Sequence, residues 1–350
     1  MTDKHASPTD FPIYLDRFLN EHLSTTRNCS SNTFKSYCDT FSQLLDFMRD
    51  HEKIDAEQIR LSDFDHNLIE RFLAYVEQER NCSPATRNVR LSAIHSFFRY
   101  LQYDHPEFLR QWGAILAVPF KNTPHKAMSF LTVEGMTLLL GMPDQRTSGG
   151  RRDLALLSLM YATGCRVQEA CDLTPSCLRF SKPSTIVITG KGNKTRIVPL
   201  RDDLEPILRS YMQEHGLSEP SANLYPLFPN RQGNKMTRQA LGKILDKHID
   251  LARRQRPELI PETFSCHCMR HSLAVHLLQA GIPLIYIRDI LGHVSVKTTE
   301  VYARILSKQK EGALEKANQH LAQNQTAEPF WKREKGIIAW LESFKRTSGT

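Results

Sequence analysis

Residues 264–281 read FSCHCMRHSLAVHLLQAG and crowd Cys266, His267, Cys268, His271 and His276 into eleven positions. A structural metal site needs three or four converging ligands. The Cys-x-Cys pair lacks the spacer of a zinc knuckle, and no second Cys/His pair follows at a matching distance. Cys165, Cys171 and Cys177 recur every six residues, a spacing that suits packing better than ligation. Read as a helix, the stretch makes more sense. Leu273, Val275, Leu277 and Leu278 turn its middle into a core, while His267 and Arg270, three apart, share one face. Cys266, Cys268 and His276 are then structural, and no metal is expected.

Downstream, DILGHVSVKTTEVYARI carries Gly292 as a helix terminator, His293 just beyond it, and Tyr302 nine residues later. Upstream, YATGCRVQEACDL breaks a helical pattern at Gly164 and presents Arg166 at the start of the next helix, with Glu169 three residues on. A helix N-terminus favours anions, and the planar guanidinium fork can hold two phosphate oxygens. The same pair also reads as a surface ion pair. In TGKGNKTRIVPL, Lys191, Lys194 and Arg196 surround the turn of a β-hairpin formed by TIVITG and TRIVPL. Such a turn can carry a lysine against a leaving group, or stand as a solvated loop. The Walker phosphate-loop pattern is absent.

The whole chain fits this picture. Its 350 residues allow two cores, and its net charge of +8 suits a polyanionic partner. No apolar run spans a membrane, and the start lacks a secretory signal, so a reducing cytoplasm is expected. Helical periodicity marks NTFKSYCDTFSQLLDFM, DHNLIERFLAYVEQER and NCSPATRNVRLSAIHSFFRYLQ. In the third, Ser83 is the N-cap and Pro84 the first helical residue. Val89, Ile94, Phe97, Phe98 and Leu101 form its apolar face, with Arg87, Arg90 and Arg99 as basic edges that are either solvated or face DNA. Residues 104–128 hold three prolines and lose periodicity.

In order, G-x-R-x-x-E, the G-K-G turn with Arg196 downstream, H-x-x-R, L-G-H and the following tyrosine resemble the tyrosine recombinase (phage integrase) family, which includes Xer-type recombinases and integrases of mobile elements. The resemblance spans roughly residues 130–305, with weaker motifs before it. It implies a mainly α fold with a small antiparallel sheet, arranged as a two-domain clamp. A helical core-binding (SAM-like) domain would cover residues 8–105, a linker 106–127, the catalytic domain 128–322 and a C-terminal tail 323–350 that either docks on a neighbouring protomer or covers the protein's own core. Position by position, Arg166 and Arg270 would grip the scissile phosphate, Lys191 would be the hairpin lysine, His267 and His293 the active-site histidines, and Tyr302 the nucleophile, with Glu169 in support. Arg87, Arg90, Lys194 and Arg196 would contact DNA. The expected activity is strand cleavage and rejoining through a 3′-phosphotyrosyl link, without ATP, metal or other cofactor. The expected partners are double-stranded recombination sites and a homotetramer, or an assembly with related recombinases, at the nucleoid. A mobile-element role is favoured over Xer-type dimer resolution. The rival class is an accessory DNA-binding protein without chemistry, and a metal-dependent nuclease is a third reading.

Overall fold

Short polar residues start the helices where the periodic segments begin. A computed structural model of the chain describes residues 9–26, 29–123, 128–293, 295–296 and 298–303. It divides into two units, Met1–Lys126 and Ala127–Thr350. The described part of the first unit carries α1 (Asp10–Arg17), α2 (Ser31–Asp50), α3 (His66–Gln78), α4 (Pro84–Leu101) and α5 (Leu109–Leu116). Ser30, Asp65 and Ser83 each accept a hydrogen bond from the backbone N–H three residues on, capping α2, α3 and α4. Phe11, Phe18, Phe41, Phe64, Phe97 and Phe98 meet at the centre of this unit, fully buried. Neighbouring rings lie 4.9 Å (Phe11–Phe64) to 6.1 Å (Phe18–Phe41) apart, mostly tilted or edge-on, the arrangement ring quadrupoles prefer.

Three expectations for this unit need correction. Much of the segment expected as linker is helix: α5 sends Trp112 and Ile115 into the first core, joined by Val118. Three nearby prolines hide its periodicity, and the packing of Trp112 on Phe108 and Phe98 overrides them. On α4, Val89 is exposed, whereas Arg87 and Leu91 are buried. Arg87 is therefore not a free basic edge. Its Nη1 donates to Pro119 O at 2.9 Å, and its guanidinium stands 4.0 Å from Glu77. Arg90 donates to Ser36 O and Thr40 Oγ1, both at 3.2 Å. Arg87 is thus buried and Arg90 half-buried, each held through Nη1 within this unit.

The second unit is mainly α with one small sheet, as expected. It holds α6 (Val133–Gly141), α7 (Ser148–Thr163), α8 (Val167–Asp172), α9 (Leu204–Glu214), α10 (Arg238–Gln255), α11 (Cys266–Gln279) and α12 (Leu284–Leu291). Strands β1 (Leu178–Arg179), β2 (Thr185–Thr189) and β3 (Thr195–Pro199) form an antiparallel sheet in sequence order. The β2–β3 register pairs Ile188 with Arg196 and Ile186 with Val198. Gly192 and Asn193 close the hairpin with left-handed backbone, at φ +75° and +57°. Helix α7 is buried from Ala155 to Met160 almost without a break, so it forms the spine of this core. Its C-terminus faces α11 and α12, and the functional residues collect there.

Candidate active site

Gly164 ends α7 in left-handed conformation, at φ +56°. A Cβ there would lie 2.6 Å from Leu291 Cδ2 and 3.0 Å from Leu273 Cδ2, so only glycine lets α7, α11 and α12 close together. The chain leaves this turn with Arg166 as the N-cap of α8. Glu169, one turn later, accepts from Arg166 N at 2.9 Å and from Arg166 Nη1 at 2.8 Å. Both members of the pair are thereby oriented, with Glu169 buried and the Arg166 side chain 40% exposed. Burial alone would raise the Glu169 carboxyl, but hydrogen bonds from Arg196 and Arg166 outweigh it and hold it below the usual carboxylate range.

Arg270 projects from α11 into the same junction and is 1% exposed. Nη1 donates to Gly164 O at 2.7 Å and Nη2 to Leu291 O at 2.6 Å. Its Nε is buried without a hydrogen-bond partner. Carbonyls at two helix C-termini neutralise part of its charge and fix the plane of its fork. Burial, and then the charges of Arg166 and Arg196, lower its pKa to about 10, so it remains a cation at neutral pH.

Three histidines and the tyrosine complete the group. Gly292 caps α12 with left-handed backbone, and His293 follows it with Nδ1 2.9 Å from Thr299 Oγ1. Tyr302, in a helical stretch over residues 298–303, is 2% exposed. Its ring lies parallel to that of His293, with centroids 6.3 Å apart. Its hydroxyl lies 2.9 Å from His271 Nδ1, and the His271 ring meets the edge of His267 at 4.2 Å. Burial raises the Tyr302 phenol above its ordinary value, against the opposing pull of Arg270 and Arg166. Burial, then neighbouring cations and rings, depresses both His271 and His293 to about 4. His267 is lowered too, by burial of its ring and then by Arg270 and Arg166.

These histidines make stability depend on pH. An unfolded histidine titrates near 6.5, whereas His271 and His293 stay neutral in the fold down to about 4. Between those values the unfolded chain binds more protons, so their contribution is full above pH 6.5 and declines as pH falls. The expected result is a melting temperature that drops between pH 7 and pH 5, with a shallower drop in His271→Gln. Equal slopes for both proteins would contradict neutral burial of His271.

The structure thus brings Arg166, Glu169, His267, Arg270, His293 and Tyr302 together. Lys191 stands at the hairpin turn, next to Gly190, which packs against Glu169. A cavity of about 610 Å³ opens beside them, lined by Arg166, Lys194, Arg196, Arg288 and His293. Lys194 is exposed there. Arg196 is not: its side chain is 10% exposed and bonded to Glu169 and Ile290 O. His276 bridges Tyr161 Oη and Leu131 O, a packing role. Cys268 lies beside Ser265 Oγ. Among the described residues no three His, Cys, Asp or Glu side chains converge as a metal-binding group. The missed residue is His271. Its signal was its position four residues after His267, one turn along the same face.

Residues 129–309 match the phage integrase family, and residues 15–104 match the phage integrase N-terminal SAM-like domain. The putative integrase/recombinase y4rC of Sinorhizobium fredii is 33% identical over 340 residues, covering 97% of this chain and 99% of that protein. Tyrosine recombinase XerC of Syntrophus aciditrophicus is 29% identical over 301 residues, covering 83% of this chain and 94% of that one. In fold, the chain is similar to the XerH site-specific recombinase bound to palindromic difH substrate, with a TM-score of 0.64, 24% identity, and 85% and 83% of the two chains covered. It is also similar to the Tn1549 transposon integrase in complex with transposon right end DNA, with a TM-score of 0.66, 16% identity, and 83% and 93% covered. The chain belongs to the phage integrase family, the tyrosine recombinases, whose members cleave and rejoin DNA strands.

Proposed function

We propose that this protein is a site-specific recombinase in which Tyr302 attacks the scissile phosphate. The observation that carries the reading is the convergence of Arg270, buried yet cationic, with the more open Arg166, the Tyr302 hydroxyl and three histidines. Attack forms a Tyr302 Oη–P bond and breaks the P–O5′ bond. Two guanidinium groups offset the charge that gathers on the equatorial oxygens. Neutral His271, 2.9 Å from Oη, takes the tyrosine proton. Lys191 supplies a proton to the departing 5′-oxygen, and His267 and His293 steady the phosphate. The 3′-phosphotyrosyl bond conserves the energy of the broken linkage, so a second 5′-hydroxyl religates the strand without ATP. Because Tyr302 is buried, the 298–303 stretch must shift before the hydroxyl reaches DNA.

The biological role we favour is integration and excision of a mobile element. Supporting it, similarity to the putative integrase/recombinase y4rC runs over 97% of the chain at 33% identity. The tail with Trp331, Ile337, Ile338, Trp340 and Leu341, expected either to dock on a neighbouring protomer or to cover the protein's own core, lies outside the described residues. On this reading the protein works at the nucleoid as a tetramer on two DNA sites, with Lys194 touching the backbone. Capturing DNA covalently attached to the protein in cells, and sequencing it, tests the role. Junctions of a mobile element are expected; a single chromosomal resolution site would favour the Xer-type role.

A further inference from the structure

We propose that Arg196 is a positioning residue, holding Arg166 through Glu169 and tying both to the turn that carries His293, and that it makes no contact with DNA. The proposal rests on the strand-cleavage reading above. Arg196 lies on β3, two residues before buried Val198 and on the same side of the strand, so its side chain turns inward. There Nη2 donates to Glu169 Oε2 at 2.7 Å and Nε to Ile290 O at 2.9 Å. The same carboxylate takes both bonds from Arg166. One carboxylate therefore sits between two guanidinium groups that both border the cavity: Arg196, 10% exposed and held through Nε and Nη2, and Arg166, 40% exposed.

Two glycines of the sequence motifs make room for this clamp. A Cβ at Gly190 would lie 2.9 Å from Glu169 Oε1, and one at Gly292 would lie 3.0 Å from Arg196 Cδ. Gly292 also needs its left-handed backbone, at φ +63°. The glycines flanking Lys191 and His293 thus admit the same buried pair from two sides.

Charge explains why a second arginine is needed. Glu169 alone would orient Arg166 but cancel its charge, leaving nothing net to attract a phosphate. With Arg196 added, the trio keeps one positive charge while Arg166 stays pinned. Breaking a buried pair leaves the remaining carboxylate uncompensated. Arg196→Gln should therefore disturb Arg166 without removing any group that faces DNA.

The test uses the full chain and the duplex recovered covalently bound to it in cells, synthesised with a nick beside the attachment phosphate. Arg196→Gln is expected to slow cleavage about 100-fold, the cost of misplacing a group by about an ångström. Its affinity for this duplex, and the salt dependence of that affinity, should match wild type. A direct phosphate contact would instead flatten the log–log salt slope by about 0.9. In the double variant Glu169→Gln/Arg196→Gln the two losses should not multiply.

The pH profile separates positioning from mere support. In Arg196→Gln, Glu169 faces only Arg166, with Arg270 and Cys165 nearby, and loses the strongest bond holding its carboxyl low. The acid limb of cleavage should move to higher pH. If Arg196→Gln fails to fold, Arg196→Lys keeps the buried cation but only one of the two bonds. It should cleave at an intermediate rate with an unchanged salt slope. Unchanged cleavage, a flattened salt slope, or multiplied losses with an unmoved acid limb would overturn the proposal. A wild-type protein that forms no adduct would sink the strand-cleavage reading instead.

Discussion

Tyr302→Phe is expected to bind duplex DNA as wild type does, yet form no covalent adduct and exchange no strands. The substitution deletes one oxygen from a side chain that is 2% exposed, so the ring keeps its packing beside His293. Its only described polar link lost is the one to His271. The remaining groups still hold the phosphate but have nothing to attack it with, and the covalent step has no substitute. Adducts resolved on a denaturing gel measure this. Residual adduct at even a few per cent of wild type would move the nucleophile elsewhere.

Arg270→Ala should lower single-turnover cleavage by about 100- to 1,000-fold, the usual cost of losing one preorganised donor at a charged transition state. Here the substitution does more than remove a cation. Gly164 O and Leu291 O each lose a donor at 2.6–2.7 Å in a buried junction, so part of the loss will appear as lower stability. Arg270→Lys distinguishes the two effects. An ammonium keeps the charge but has no planar fork, so it cannot reproduce the paired bonds to Gly164 O and Leu291 O that fix the guanidinium. We expect stability to recover more than cleavage. Full recovery of cleavage in the lysine variant would mean that charge alone matters at this position.

Helices in both units were legible because caps and apolar periodicity agree. Ser83 and Pro84 begin α4, and Gly164 and Gly292 end α7 and α12 where a left-handed residue was required. Helix α5 was hidden because its eight residues sit among prolines, and only the burial of Trp112 makes it worth forming. Arg87 shows the opposite failure. A charged residue was assigned outward on general grounds, yet Pro119 O, 32 residues away, supplies its partner. Such long-range bonds leave no local trace.

The candidate site divides along the same line. Arg166 and Glu169 form a local capping pair, visible from their spacing. His271 meets a tyrosine 31 residues on, and Arg196 a carboxylate 27 residues back, so their partners emerge only from the tertiary structure. A parity signal existed for Arg196, since alternation along β3 sets it on the buried side with Val198. Its charge argued for the surface, and the acceptors at Glu169 and Ile290 decided otherwise.

The most direct test of the account is the residue that carries the DNA. Wild-type protein trapped on a nicked recombination duplex, digested with protease and analysed by mass spectrometry, should yield one nucleotide-bearing peptide. Its phosphate should be bonded to Tyr302 through a 3′-linkage, and the adduct should form equally well in EDTA. Attachment at another residue, or an adduct that disappears with chelator, would contradict it.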